Sequence, residues 1–198
     1  DYVVGLFYFD STVDSVSTQV FPTINTPFQS KISDVHVETE NMAVFGQANL
    51  ALTDSLSLIA GARLLREEQS IEKQRVDPRL NLREPFQQQS DSDTATVWRG
   101  GLQYNFAPDL MVFATYTRGY KAGGFDPAFG LTGTPKVEPE IPTLVEVGAR
   151  TVFPSLGLML NLTLYDQEIE DYQVSTRGPG VNDTFFFIRN AAVLTSRG

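Results

Sequence analysis

Period-two alternation of apolar and polar side chains recurs along this chain, and it limits the chain to strands with two unlike faces. In 97–106, Trp98, Leu102, Tyr104 and Phe106 share one face, and Arg99, Gln103 and Asn105 share the other. In 156–164, Leu156, Leu158, Leu160, Leu162 and Leu164 oppose Gly157, Asn161 and Thr163. In 145–153, Val145, Val147, Ala149, Thr151 and Phe153 oppose Glu146, Gly148 and Arg150. In 56–64, Leu56, Leu58, Ala60, Ala62 and Leu64 oppose Ser57, Gly61 and Arg63. Residues 38–52 contain good helix formers, but Val44, Ala48, Leu50 and Leu52 against Gln47 and Asn49 predict a strand. Residues 110–120, rich in Thr, Tyr, Phe and Val, predict a strand by propensity, with no assignable faces.

The connections are of two kinds, and they alternate. Short turns fall at Thr53-Asp54-Ser55, Ala107-Pro108-Asp109 and Phe153-Pro154-Ser155. Long polar or Gly/Pro-rich stretches at 11–35, 71–93, 121–140 and 177–184 read as loops. In an antiparallel meander every second connection lies at the same rim. An outer-membrane barrel keeps its periplasmic turns short and lets its extracellular loops grow. A soluble sandwich has no reason to sort loops in this way. The expected fold is all-β: an antiparallel up-and-down meander of about eight strands, cut from a transmembrane barrel and forming a curved, open sheet by itself.

Composition removes several function classes. Against 24 Asp+Glu stand 15 Lys+Arg, a net charge of −9 with no dense basic cluster, so nucleic acid is not an expected partner. Cysteine is absent, which excludes disulfides, thiolate metal sites and cysteine catalysis within the segment. No run approaches the roughly 18 apolar residues of a membrane helix, a test to which β-barrels are blind. The single histidine, His36, lies in a polar stretch and no G-x-S-x-G occurs, so neither a His-based metal centre nor a catalytic triad is expected. Gly100-Gly101 and Gly123-Gly124 do not form a phosphate loop. No cofactor is expected. Asp166, Glu168, Glu170 and Asp171 could hold a hard cation, but a solvated charged rim is the favoured reading.

Several motifs resemble the β-barrel of TonB-dependent outer-membrane receptors. AVFGQ at 43–47, LTDSLSL at 52–58 and AGAR at 60–63 resemble the family's "FGQ … LTD-x-LSLTAG-x-R" hairpin. WRGGL at 98–102 resembles its next strand. TYTRGYKAGGF at 115–125 is the most specific match, to a "Y-S-R-G-Y-K-A-G-G-F" segment where a strand leaves the membrane. Pro139-Glu140 with EVGAR at 146–150 resembles a "PE … ELG-x-K" element, and 187–198 resembles an "N-A-A … SRG" run. The resemblance covers 37–198 in the family's order, and residues 1–36 match nothing in particular. The family's barrel has about 22 strands around a plugged lumen. The chain, which opens on Asp1 without a leader pattern, is therefore expected to be an internal slice. The family's plug, its TonB-contacting box and its terminal aromatic residue are not found in it.

The resemblance implies a non-enzymatic role in the Gram-negative outer membrane. This is the wall of an active transporter for ferric siderophores or similar scarce ligands, energised through TonB acting on the plug. The implied partners are outer-membrane lipid, the protein's own plug, TonB through that plug, and the ligand. Gln47, Arg63, Arg99, Gln103, Glu146 and Arg150 are the candidates to face the lumen, with cross-strand salt bridging as the plainer role. Tyr116, Tyr120 and Lys121 are rim candidates, with an interfacial aromatic and a snorkelling lysine as the plainer reading. Trp98, Tyr104, Phe106 and Phe153 are candidates for a lipid-facing girdle. A small pore or adhesin barrel, and a soluble β-sandwich that binds carbohydrate, remain as alternatives.

Overall fold

The computed structural model describes residues 1–20, 31–126, 135–177 and 186–198. They form β1 (Tyr2–Gln19), β2 (Lys31–Ala51), β3 (Leu56–Asp77), β4 (Leu82–Arg83), β5 (Gln87–Ala107), β6 (Leu110–Arg118), β7 (Gly124–Phe125), β8 (Lys136–Val137), β9 (Ile141–Phe153), β10 (Leu158–Glu170), β11 (Gln173–Arg177), β12 (Phe186–Asn190) and β13 (Val193–Arg197). One antiparallel sheet runs in the order β1-β2-β3-β5-β6-β9-β10-β13, with β4 pairing on β3. Strands β7–β8 and β11–β12 are separate two-stranded ribbons. The sheet is open: among the described residues β1 pairs only with β2, and β13 only with β10. The expected meander of about eight strands is present, and 38–52 is strand, not helix. Among the described residues the only other sheets are these two-stranded ribbons, not the second full layer that a sandwich needs.

The three short turns fall where Thr, Pro and Asp placed them. After β2, the Leu52 amide donates to the Leu56 carbonyl at 2.8 Å, and the Leu56 amide donates to Thr53 Oγ1 at 3.0 Å. Before Pro108 the register shifts between Asn105 and Ala107, a bulge that frees the chain to turn. Between β9 and β10 a single 3₁₀ turn spans Pro154–Leu156, so Leu156 belongs to the turn and the apolar row of β10 begins at Leu158.

The long connections are shorter than the sequence suggests. Strand β1 runs to Gln19 and β2 begins at Lys31, so most of 11–35 is paired; β3 runs to Asp77 and β5 begins at Gln87, so most of 71–93 is paired too. His36 accordingly lies in β2, not in a loop. The hydropathy alternation disappears in these stretches because both faces are polar there, while the backbone ladder continues unbroken. Parts of the proposed loops at 21–30, 127–134 and 178–185 lie outside the described residues.

Register carries one apolar face across the whole sheet, since directly opposed residues in an antiparallel pair share a face. The border of that face steps along the register by two residues at a time, as tilted strands require: Met42 is opposite Arg66, Trp98 opposite Arg118 and Val145 opposite Asp166. Tyr8 is opposite Met42, Val44 opposite Leu64, Tyr116 opposite Val145, and Val147 opposite Leu164. One step beyond, the same face carries Asp10 opposite Glu40, Arg66 opposite Thr94, and Arg118 opposite Thr143. Between this border and the short turns the strands contribute seven to ten residues, close to the length that crosses hydrocarbon at a tilt. The apolar side chains are in the open, Leu162 being 57% exposed. Burial lies on the other, mixed face, where Val35, Ala43, Leu65 and Ile71 are covered together with Lys31, Lys73, Arg75 and Thr115.

Strand β6, whose faces the sequence left open, resolves the same way: Val112, Ala114 and Tyr116 lie on the apolar face, and Met111, Phe113 and Thr115 on the mixed one. Phe113 covers Gly148, where an added Cβ would meet the ring at 2.5 Å and the Leu162 carbonyl oxygen at 2.8 Å. Gly148→Val should therefore cost about 1–3 kcal/mol through overpacking. A lowered urea midpoint at unchanged m-value is the expected result.

Candidate functional site

Strand register puts Gln47, Arg63, Arg99, Gln103, Glu146 and Arg150 on the mixed face. Gln47 is opposite Gly61, Gly61 opposite Arg99, and Arg99 opposite Thr117; Arg150 is opposite both Met111 and Asn161. Their interactions are local. Arg99 Nη2 approaches Glu146 Oε2 at 3.9 Å, and Thr115 Oγ1 donates to the same oxygen at 3.3 Å. The Arg63 guanidinium lies 4.6 Å over the Phe7 ring, and its Nη2 donates to Asn41 Oδ1 at 3.4 Å. Asn41 Nδ2 in turn donates to Glu67 Oε2 at 2.7 Å. Arg150 lies 5.5 Å over Phe113. Planar guanidinium groups over aromatic rings keep their charge while shedding some water.

Trp98, Tyr104, Phe106 and Phe153 lie on the apolar face. Trp98 stacks on Tyr116 at 5.1 Å, and Tyr104 meets Phe106 edge-on at 4.6 Å. The three residues read together as a rim are thus separated. Tyr116 belongs with Trp98 at the border of the apolar face. Tyr120 has a buried hydroxyl without a hydrogen-bond partner, and burial, with Asp93, Glu67 and Asp91 nearby, raises its pKa. Lys121 pairs through Nζ with Glu140 Oε1 at 2.8 Å.

Farther from the short turns, the mixed face holds a charged cluster that the sequence analysis did not single out. Lys31 begins β2, Lys73 and Arg75 lie two apart on β3, and Glu84 follows β4; each is at least 95% buried. Arg75 Nε pairs with Glu84 Oε2 at 2.6 Å, while Arg75 Nη2 and Glu84 Oε1 have no hydrogen-bond partner. Burial, reinforced by the Arg75 charge, lowers Lys31 and Lys73 to about 8 each; Glu84 and Asp126 oppose the shift. The signal in the sequence was the alternation Lys73-x-Arg75-x-Asp77, which a loop assignment concealed.

Asp166 pairs with Arg197 at 2.9 Å, and no cluster of three or more His, Asp or Glu among the described residues is placed to hold a metal. His36 sits outside the apolar border, its Nδ1 2.6 Å from Asp14 Oδ1, and this hydrogen bond raises its pKa.

A family model described as TonB dependent receptor-like, beta-barrel, matches residues 1–198, including the first 36 residues that carried no motif. The ferric yersiniabactin uptake receptor FyuA from Yersinia pestis superposes with a TM-score of 0.81 at 18% identity, over 100% of this chain and 28% of that one. The alcaligin outer membrane receptor FauA from Bordetella pertussis gives a TM-score of 0.51 at 12% identity, over 100% of this chain and 34% of that one. The chain thus spans about a third or less of these receptors.

Two ion pairs of the mixed face, Arg75–Glu84 and Arg99–Glu146, differ in burial, and this predicts unequal energies. Arg75→Met should destabilise the fold by about 3–5 kcal/mol, because Glu84 is left buried without its hydrogen-bonded partner. Arg99→Met, at a half-exposed pair, should cost about 0–1 kcal/mol. Denaturant unfolding of the two variants, with Arg75→Met/Glu84→Leu recovering much of the larger loss, is the check.

Proposed function

Because the chain belongs to the TonB-dependent receptor-like β-barrel family, whose members are outer-membrane transport proteins of Gram-negative bacteria and not enzymes, we propose that it forms part of the wall of a receptor importing ferric siderophores or similar scarce ligands. The observation that carries this reading is the apolar band, continuous across strands from β1 to β10, set against a face of arginines, carboxylates and aromatic rings. A backbone crossing hydrocarbon must satisfy every amide within the protein, so the band implies a ladder closed by further strands. FyuA and FauA, which bear the fold, are named for ferric yersiniabactin and alcaligin.

In this reading the mixed face lines the lumen, and Gln47, Arg63, Arg99, Gln103, Glu146 and Arg150 face a plug domain. Trp98, Tyr104, Phe106 and Phe153 meet lipid at the two borders of the band. Tyr116 anchors the outer border beside Trp98, while Tyr120 and Lys121 stand above it. No residue of the wall performs covalent chemistry. Ligand is captured at the outer mouth, and TonB supplies energy by acting on the plug.

The test is genetic. A Gram-negative strain lacking its own receptor, given the full-length gene and starved of iron, should grow on one of a panel of ferric siderophores. That growth should vanish when TonB is deleted. Rescue that persists without TonB would mean a passive pore and would overturn the reading. Lipid exposure has its own check. Leu102→Arg, at mid-band opposite Leu58 and Ala114, should lower barrel stability by about 2–4 kcal/mol, while Gln103→Arg on the other face is tolerated. Denaturant titration of both variants in lipid vesicles measures the difference.

A further inference from the structure

The mixed face is hollowed where β6 leaves the wall. The pairing of β6 with β5 ends at Arg118 opposite Trp98, although β5 continues to Gln87. The chain then enters a ribbon, tied by Gly119 N to Pro142 O at 2.7 Å and by the Lys121–Glu140 bridge. The ribbon lies across the mixed face. A Cβ on Gly124 would meet Gln69 Oε1 of β3 at 2.5 Å, and Lys136 Nζ pairs with Asp91 Oδ2 of β5 at 3.0 Å. Both contacts are farther from the short turns than Arg63 and Arg99. Between the ribbon and the rest of the band lies a concavity of about 500 Å³, lined by Gln47, Gly61, Arg63, Arg99, Thr117 and, at the bend, Tyr120.

Its charge is one-sided. Arg63 and Arg99 line it and no carboxylate does. In a chain with 24 Asp+Glu against 15 Lys+Arg this is unusual. The concavity beside the short turns sets Arg150 against Asp54 and Asp109, and the one on the outer face sets Arg66 among Asp10, Glu38, Glu40 and Glu68. Arg63 is opposite Val97 and Gly61 opposite Arg99, so the two arginines are diagonal neighbours on one face, and glycine leaves the space between Gln47 and Arg99 open.

Each arginine keeps most of its bonding capacity. A guanidinium carries five N–H donors. Arg63 uses its flat face against the Phe7 ring, at 4.6 Å, and one long bond to Asn41 Oδ1, at 3.4 Å. Its Nε is buried without a partner, so that edge has already given up water. Arg99 has Glu146 Oε2 at 3.9 Å, beyond hydrogen-bond reach, and Glu146 is bonded instead by Thr115 at 3.3 Å. Stacking on a ring holds a guanidinium by its face and leaves an edge free, and that edge matches the two oxygens of a carboxylate.

We propose that Arg63 and Arg99 form a socket for an aspartate or glutamate side chain of the plug domain. The socket adjoins Leu64 and Trp98, at the outer border of the band, on the face opposite to lipid. The ribbon lies between it and the outer mouth, so the approach left open is from the barrel axis, which the plug fills. A carboxylate there would meet two cations that have no close anion of their own, on a surface that excludes much of the water. The inference rests on the import-receptor reading and deepens it: it gives the chemistry by which this part of the wall holds the plug.

The experiment uses the full-length receptor, plug included, in detergent. Arg63→Lys and Arg99→Lys, made singly, each place an amine in the socket. A water-soluble carbodiimide then joins that amine to a carboxylate in direct contact; the water lost from the new amide is taken up by the carbodiimide as its urea. Peptide mass spectrometry should find both introduced amines joined to the same plug aspartate or glutamate. Adding Gly61→Ile, whose Cβ meets nothing closer than 3.4 Å but whose side chain fills the concavity, should abolish the cross-link. Arg63→Glu should speed amide exchange in the identified plug peptide about tenfold or more. Cross-links that reach only Glu146 or Glu67 of the wall, no cross-link, a cross-link that survives Gly61→Ile, or plug exchange at the parental rate would each overturn the socket. None of these readouts requires transport. A receptor that cross-links as described but supports no TonB-dependent growth overturns the proposed function alone, and one that imports normally without the plug cross-link overturns the socket alone.

Discussion

Everything in this structure depends on the backbone ladder. Water can satisfy a loose amide at a soluble surface, but hydrocarbon cannot, and each orphaned group there costs several kcal/mol. The long strands are therefore paired residue by residue, 20 consecutive pairs between β2 and β3 alone. Side-chain identity then only decorates a scaffold whose geometry is already set. Because register is continuous, the apolar face that ends at Tyr8, Leu64, Trp98 and Tyr116 is a property of the sheet, not of any one strand. The same ladder explains the edges: β1 and β13 each leave one side unpaired, which in a bilayer must be met by more strands.

The usual sorting of residues is inverted. Leucines stand exposed, while the largest fully buried side chains include Lys73 and Asp77. A hydrocarbon solvent removes any penalty for showing leucine, so the apolar face needs no partner within the protein. The mixed face is left to do specific work, and it is costly to build. Arg75 and Glu84 lose most of their hydration for one short ion pair and leave an orphan nitrogen and oxygen behind. Buried pairs of this kind rarely add stability over an apolar replacement.

What the sequence made legible follows from which solvents a strand touches. Where one face meets hydrocarbon and the other does not, as at Leu158, Leu160, Leu162 and Leu164 against Asn161 and Thr163, alternation declares the strand and its faces. Beyond the band, in 11–19, 71–77 and 87–93, both faces are polar and the signal vanishes, though the pairing does not. Strand β6 failed differently. Its mixed face carries Met111 and Phe113, so both faces are apolar near the turn and no contrast remains to be read. The buried cations were missed for the first reason: Lys73 and Arg75 sit in a stretch that composition assigns to solvent. Tyr120 was grouped with Tyr116 by proximity in sequence, yet the chain leaves the wall between them.

That departure gives a physical meaning to the segment carrying the strongest resemblance, TYTRGYKAGGF at 115–125. Its first half is ordinary wall, ending in Tyr116 at the outer border and Arg118 just past it. Its glycines come where the ribbon crosses back over the sheet. A Cβ on Gly123 would collide with the Val137 carbonyl of the opposing ribbon strand, and one on Gly124 with Gln69 of the wall. Glycine there is thus required by close approach on two sides at once, not by phosphate binding or catalysis. The lysine between the halves is held by Glu140, whose Oε1 also accepts from the Gln173 amide at 2.7 Å, so one carboxylate joins the two sides of the ribbon to the β11–β12 pair behind it. The motif is the bend that takes the strand off the sheet and lays it across the mixed face, a demand of the backbone.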